Sequence, residues 1–187
     1  MPASEAFEQQ RYIVVDNLIA DLMCRTLTLY ARANQTYRPQ IGDVFTNKSH
    51  CVYGDFLMES LLESLRPRIE RFTQLSLIPT YSYYRVYAAG DELKSHVDRP
   101  ACEISVSLCL GYDYQGTDYK WALTMGPTEL VQHPGQGVIY RGLEVPHSRP
   151  IMHAPDGSWH AQVFLHYVEK GGKFEAYRYD ERQSLYA

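Results

Sequence analysis

The sequence has little of several things, and each shortage narrows the reading. Its four cysteines, Cys24, Cys51, Cys102 and Cys109, form no C-x-x-C pair, so neither a zinc ribbon nor a thioredoxin-like redox motif is present. Basic residues are few and scattered: 18 Lys and Arg against 22 Asp and Glu leave a net charge of -4 at pH 7. Without clustered cations to neutralise phosphates, nucleic acid is excluded as a general partner. No apolar run approaches the roughly 18 residues of a membrane span, which excludes a membrane partner. The opening MPASEAFEQQRY lacks a basic stretch followed by an apolar one, so no secretory signal is read. A cytoplasmic protein with reduced thiols is the expectation. There is no G-x-S-x-G elbow, and no G-x-x-x-x-G-K-[ST] or G-x-G-x-x-G run for nucleotides.

What is present is tyrosine. Sixteen Tyr beside six Phe means rings with a polar tip, which suits a sheet protein with a partly polar interior. After a polar start, Tyr12–Val15 reads as a strand, and Asp16–Asn17 offers an N-cap for a helix from Leu18 to Ala33. Residues 34–54 read as loop with short extended pieces. A second helical pattern begins near Asp55, with Leu57, Leu61, Leu62, Leu65 and Ile69 three and four apart and Pro67 expected to kink or break it. From Pro79 onward the texture is β-rich: 81–87, 103–110, 121–125, 137–141 and 161–168 are short segments separated by Gly, Pro or Asp turns. Helices followed by seven or eight strands predict a mostly β, double-sheet jelly roll with two or three N-terminal helices on one sheet. One domain spans 1–187: helical support over 16–75, a jelly-roll core over 79–168 and a C-terminal tail over 169–187.

The chemistry concentrates in His96-Val97-Asp98. In an extended segment, side chains at i and i+2 point the same way and can grip one ion. His147, closing the run that starts at Gly137, supplies the third ligand if a later strand returns beside the first. Two imidazoles and a carboxylate on one octahedral face leave three open positions, the arrangement of Fe(II) oxygenases. His153 and His160 stand as alternates for the third ligand. A zinc hydrolase using the same three groups is the competing enzyme reading, and a non-catalytic jelly-roll binding module is the third.

The run from Tyr83 through Arg85, Tyr87 and Gly90 to His96 and Asp98, with a late His after a Gly-rich strand start and the opening Tyr12-Ile-Val-Val-Asp-Asn-Leu18, resembles the Fe(II)/2-oxoglutarate oxygenases and, within them, the prolyl-hydroxylase-like branch. The resemblance covers about residues 10 to 168. It implies a double-stranded β-helix, a hydroxylase using Fe(II) on His96, Asp98 and His147, with 2-oxoglutarate and O2 as co-substrates and ascorbate as an optional supporting reductant. Asp98 argues against halogenation, since related halogenases carry a small residue at that ligand position.

The sequence departs from the family on the last strand, where an Arg or Lys ordinarily holds the distal carboxylate of 2-oxoglutarate. Residues 151–168 contain neither. Arg149, two beyond His147, is the first substitute, offering a planar fork. Arg85, sharing strand parity with Tyr83 and Tyr87, is the second. His160, Gln162 and His166 share a face of the last strand, and Gln162 or His160 offers neutral hydrogen bonds to the co-substrate. Ser105, Ser107 and Cys109 share a face of a neighbouring strand. Arg99, directly after Asp98, points out of the cavity by alternation and is assigned to substrate binding. Residues 34–54 and 111–120, with Tyr37, Arg38, Asp43, Asp113 and Tyr114, are expected to border the mouth. The substrate is a small molecule or a peptide, and pairing with a second copy is an open partner.

Overall fold

The computed structural model describes residues 2–38, 42, 46 and 49–187; Asp43 and most of the loop around it lie outside the described residues. The polar start is a helix, α1 (Ala3–Gln10), whose Phe7 is fully buried. The chain continues through β1 (Tyr12–Val15), α2 (Asp21–Tyr37), β2 (His50–Tyr53) and α3 (Phe56–Thr73). The strands that follow are β3 (Leu77–Ala88), β4 (Leu93–His96), β5 (Ile104–Asp113), β6 (Leu123–Met125), β7 (Thr128–Leu130), β8 (Gly137–Arg141), β9 (His147–Arg149) and β10 (Trp159–Glu169). Short 3-10 segments cover Pro100–Cys102 and Glu175–Glu181.

Two helix expectations change. Helix α2 starts at Asp21 with Ala20 as its uncapped N-cap residue, and not at Leu18 behind an Asp16–Asn17 cap. Asn17 adopts a left-handed turn, with φ 50°, the Leu18 N–H donates to the Gly135 carbonyl at 2.7 Å, and Leu18 and Ile19 plug the core before the helix begins. Those two apolar residues extended the periodic pattern past the helix itself. Helix α3 is capped by Asp55, whose Oδ1 accepts from the N–H groups of Leu57 and Met58, and runs unbroken through Pro67. An interior proline costs about 3 kcal/mol, whereas each of the buried Met58, Leu62 and Ile69 contributes roughly 1.5–3 kcal/mol, so packing outweighs the missing hydrogen bond.

The strands form two open sheets rather than a closed barrel: six strands in the order β1-β8-β5-β10-β3-β2, and four in the order β4-β9-β6-β7. Eight strands, β3 to β10, follow the last of the three helices, as expected, and β1 and β2 bring the described residues to ten. The three helices lie on the outer side of the larger sheet. Between them sits the main core, where Leu27, Ala31, Leu62 and Ile69 meet Val86, Val106, Val163 and Leu165. Alternation then sends the odd-numbered positions of β3 and β5 and the even-numbered ones of β10 to the opposite face, where Arg85, Ser105, Ser107, Gln162 and His166 make the interior between the sheets polar. The strand expected over 137–141 is β8 in the large sheet, and His147 opens a separate strand, β9, in the small one. The chain changes sheets in between, which carries His147 across to β4.

Candidate metal centre

Strands β4 and β9 are antiparallel with His96 opposite His147, and their imidazole centroids are 4.3 Å apart. Asp98, two residues past His96, is turned in by its N–H donating to the Gly142 carbonyl at 2.8 Å. Its Oδ1 lies 3.7 Å from His96 Nε2 and 3.6 Å from His147 Nε2. In both histidines the other nitrogen is committed: Nδ1 of His96 lies 2.8 Å from the Lys94 carbonyl and Nδ1 of His147 lies 3.1 Å from the Val145 carbonyl. A carbonyl only accepts, so each Nδ1 carries the proton and each Nε2 turns a lone pair toward Asp98. Such a second bond is how metal-binding imidazoles are held in one tautomer.

Burial holds the pKa of both imidazoles down, the neighbouring His147 adding to the effect on His96, and pushes the Asp98 carboxyl up. Each change disfavours charge, which a divalent cation among the three would supply. Asp98 Oδ2 accepts from Ser105 Oγ at 2.9 Å, and His166 Nδ1 lies 2.8 Å from the same hydroxyl. Gly142 is packed so closely that a Cβ there would sit 2.6 Å from Asp98 Oδ2 and 2.1 Å from the Cys102 carbonyl. The donor set, two neutral imidazoles and one carboxylate, fits Fe(II). Asp98, Cys102 and His166 form a second convergent group, but the Ser105 hydroxyl bonds to both Asp98 and His166, and burial pushes the Cys102 thiol up. His153 and His160 join neither group among the described residues.

The three side chains open onto a cavity of about 170 Å³ whose walls include Tyr81, Tyr83, Arg85, Tyr140, Phe164 and His166. Of the two candidate anchoring arginines, Arg85 lines it. Its guanidinium lies 4.9 Å from the Tyr83 ring and 5.2 Å from the Phe164 ring, and donates to Tyr87 Oη at 3.4 Å. Arg149 does not line the cavity. Buried at 2% exposure, it donates to the Trp121 carbonyl at 2.8 Å and to Gln132 Oε1 at 2.9 Å, reaches Gln162 Oε1 at 3.4 Å, and stacks on Trp121. His160 is likewise consumed, between Tyr114 Oη at 2.8 Å and Gln162 Oε1 at 2.9 Å. Tyr87 is fully buried against Trp121.

The segment 111–120 does not border this cavity. Tyr112 pairs with His160, six residues along β10 from His166, so it flanks the opposite end, and Tyr114 is buried there with Trp121. Arg99 is not among the residues lining the cavity, and its guanidinium lies over the Tyr81 ring at 4.7 Å. Tyr81, Tyr140 and Phe164 were not singled out in the sequence. Parity alone placed Tyr81 with Tyr83 and Arg85, while nothing distinguished Tyr140 before its sheet was known. None of the four cysteines is in a disulfide, and no described helix is long and apolar enough to cross a membrane.

No family model matches the sequence, and no curated protein matches it. Solved structures do. A prolyl-4-hydroxylase from Pseudomonas putida superposes with a TM-score of 0.70 at 17% identity, covering 90% of this chain and 98% of that one. The non-heme α-ketoglutarate-dependent epimerase SnoN of nogalamycin biosynthesis gives 0.72 at 11% identity, with 89% and 81% covered. The viral collagen prolyl hydroxylase of Paramecium bursaria Chlorella virus-1, solved with 2-oxoglutarate, gives 0.63 at 11%, with 86% and 98% covered. The chain therefore has the double-stranded β-helix fold of the Fe(II)/2-oxoglutarate oxygenases, prolyl hydroxylases among them.

Proposed function

We propose that the protein is an Fe(II)- and 2-oxoglutarate-dependent dioxygenase that hydroxylates a small molecule, an amino-acid derivative or a protein side chain. One observation carries this reading: two histidines whose Nδ1–H groups are spent on backbone carbonyls, and whose Nε2 atoms converge on one carboxylate oxygen. His96, Asp98 and His147 would hold Fe(II), which together with 2-oxoglutarate supplies the activation of O2 that hydroxylation needs. Arg85 is assigned the distal carboxylate of 2-oxoglutarate. Its support is its place in the cavity wall, with Tyr83 and Phe164 fixing the guanidinium plane. Tyr87 steadies Arg85 from below, and Gln162 and His160 serve by building the floor with Arg149 rather than by touching the co-substrate. Ser105 holds Asp98 Oδ2, leaving Oδ1 for the metal. The solved neighbours called prolyl hydroxylases favour hydroxylation over the epimerisation named for another.

The test is succinate formation from 2-oxoglutarate under air with Fe(II) and ascorbate, comparing the wild type with a His96→Ala, Asp98→Ala double variant. Uncoupled turnover in the wild type that is lost in the variant is expected. No turnover in either, with Zn(II) bound and 2-oxoglutarate not, would overturn the reading.

A further inference from the structure

The Tyr81 ring is part of the cavity wall, and the same ring carries a second arrangement of residues that do not line the cavity. Arg99 lies over it at 4.7 Å, and Tyr53 packs at 5.0 Å between centroids. Tyr81 also packs, tilted by 39°, against the cavity residue His166 at 4.6 Å between centroids. A group held by Arg99 and Tyr53 is therefore one ring away from the cavity, and Arg99 is joined directly to Asp98. Both side chains reach solvent, Arg99 at 47% and Tyr53 at 44% exposure.

What they hold is a carboxylate of the chain itself. Arg99 Nη2 lies 2.8 Å from both Oδ1 and Oδ2 of Asp180, and Tyr53 Oη donates to Oδ2 at 2.6 Å. Asp180 arrives on the 3-10 segment Glu175–Glu181, none of whose side chains is buried. That segment is a strap pinned at both ends. Before it, the Lys170 N–H donates to the Ser76 carbonyl at 2.8 Å. After it, Arg182 donates to the Thr80 carbonyl at 3.0 Å and to Glu59 Oε1 at 3.2 Å.

The strap's backbone is strained at this point. Tyr179, Asp180 and Glu181 are consecutive L-residues in the left-handed region, with φ 53°, 55° and 62°. The left-handed region is unfavourable for every L-residue with a side chain, with Asp among the more tolerant. None of the strap's side chains is fully buried; Tyr177 and Tyr179 pack part-buried on the body of the fold, and the Asp180 contacts add to their hold. A segment with no fully buried side chain opens more readily than the core strands it lies on. Arg99 and Tyr53, by contrast, belong to the body of the fold, on the loop after β4 and on β2, and keep their places against Tyr81 without the strap.

We propose that Arg99 and Tyr53 form a carboxylate-binding subsite beside the metal cavity, filled in the resting protein by Asp180, and that the substrate is an anion that takes Asp180's place. The substrate half of this rests on the oxygenase reading above; the binding half does not. An incoming carboxylate recovers the same charge-assisted bonds while releasing the left-handed turn, and the rest of the molecule can then reach past Tyr81 toward the metal.

The experiment uses Asp180→Gly, which removes the carboxylate while glycine keeps the left-handed backbone without strain. The probe is N-acetyl-aspartate N-methylamide, titrated by NMR against N-acetyl-asparagine N-methylamide, with no iron or 2-oxoglutarate present. The variant should prefer the acid by about tenfold or more, and the preference should vanish in Arg99→Gln, Asp180→Gly. In the wild type the acidic probe should speed hydrogen exchange over 175–181. A folded Asp180→Gly protein with no preference for the acid, a preference that survives loss of Arg99, or wild-type exchange unmoved by the probe would each overturn the proposal. Because no turnover is read, failure of the oxygenase reading would show only in the succinate assay, and failure of the subsite only here.

Discussion

Arg85 of β3 stands directly opposite Gln162 of β10, and of the two only the arginine lines the metal cavity. The last strand has a neutral residue at this register, and the guanidinium stands on the strand beside it. Exchanging Arg85 for Gln should raise the KM for 2-oxoglutarate by roughly 10- to 100-fold, the loss of a charge-assisted carboxylate contact of about 1.5–3 kcal/mol. Arg85→Lys should recover part of it. Steady-state succinate formation at varied 2-oxoglutarate checks both, and an unchanged KM would remove Arg85 from this role.

Arg149 should behave in the opposite way. Its partners are the Trp121 carbonyl and the side chains of Gln132 and Gln162, all neutral. Arg149→Met strands those buried acceptors, so a loss of stability on the order of 2–4 kcal/mol is expected. Urea unfolding measures it. The KM for 2-oxoglutarate of the folded fraction should stay within about twofold of wild type, a change worth less than half of one charge-assisted bond.

Gly142→Ala tests how tightly Asp98 is seated. A Cβ there would lie 2.1 Å from the Cys102 carbonyl and 2.6 Å from Asp98 Oδ2, distances no relaxed structure tolerates, so the carboxylate must shift. Calorimetric titration with Co(II) should show binding weakened by about 10- to 100-fold, the range seen when outer-shell support of a metal ligand is lost. Wild-type affinity in the variant would mean that the Asp98 position is not critical.

His166 sets a pH dependence. Burial pushes its pKa down to about 3, below the roughly 6.5 of an unfolded histidine. Between those values the unfolded chain binds a proton that the folded one refuses, so stability is complete above about pH 6.5 and declines as pH falls toward 3. His166→Gln should flatten this dependence. Melting temperatures of the metal-free protein between pH 7.5 and 5 should fall more steeply in the wild type than in the variant, and parallel curves would argue against a neutral buried imidazole.

Much of the architecture is legible in local patterns, because a strand's two-residue period and a helix's three-to-four-residue spacing are set by backbone geometry alone. The pairing of His96 with Asp98 belongs to that class, as does the shared face of Tyr83, Arg85 and Tyr87. The alternation that turns His160, Gln162 and His166 inward is equally local. The absence of Lys and Arg from 151–168 is equally visible there.

What tertiary structure alone decided is which neighbours those faces meet. Arg85 and Arg149 are both inward-facing arginines on strands; one borders a cavity and the other is enclosed by Trp121, Gln132 and Gln162, a difference made by residues far away in the chain. Pro67 reads as a helix breaker until the buried side chains around it are counted. Asp180 and Arg99, 81 positions apart, carry no periodic signal linking them, since a contact closed by a strap depends on where the chain returns in space and not on its local spacing.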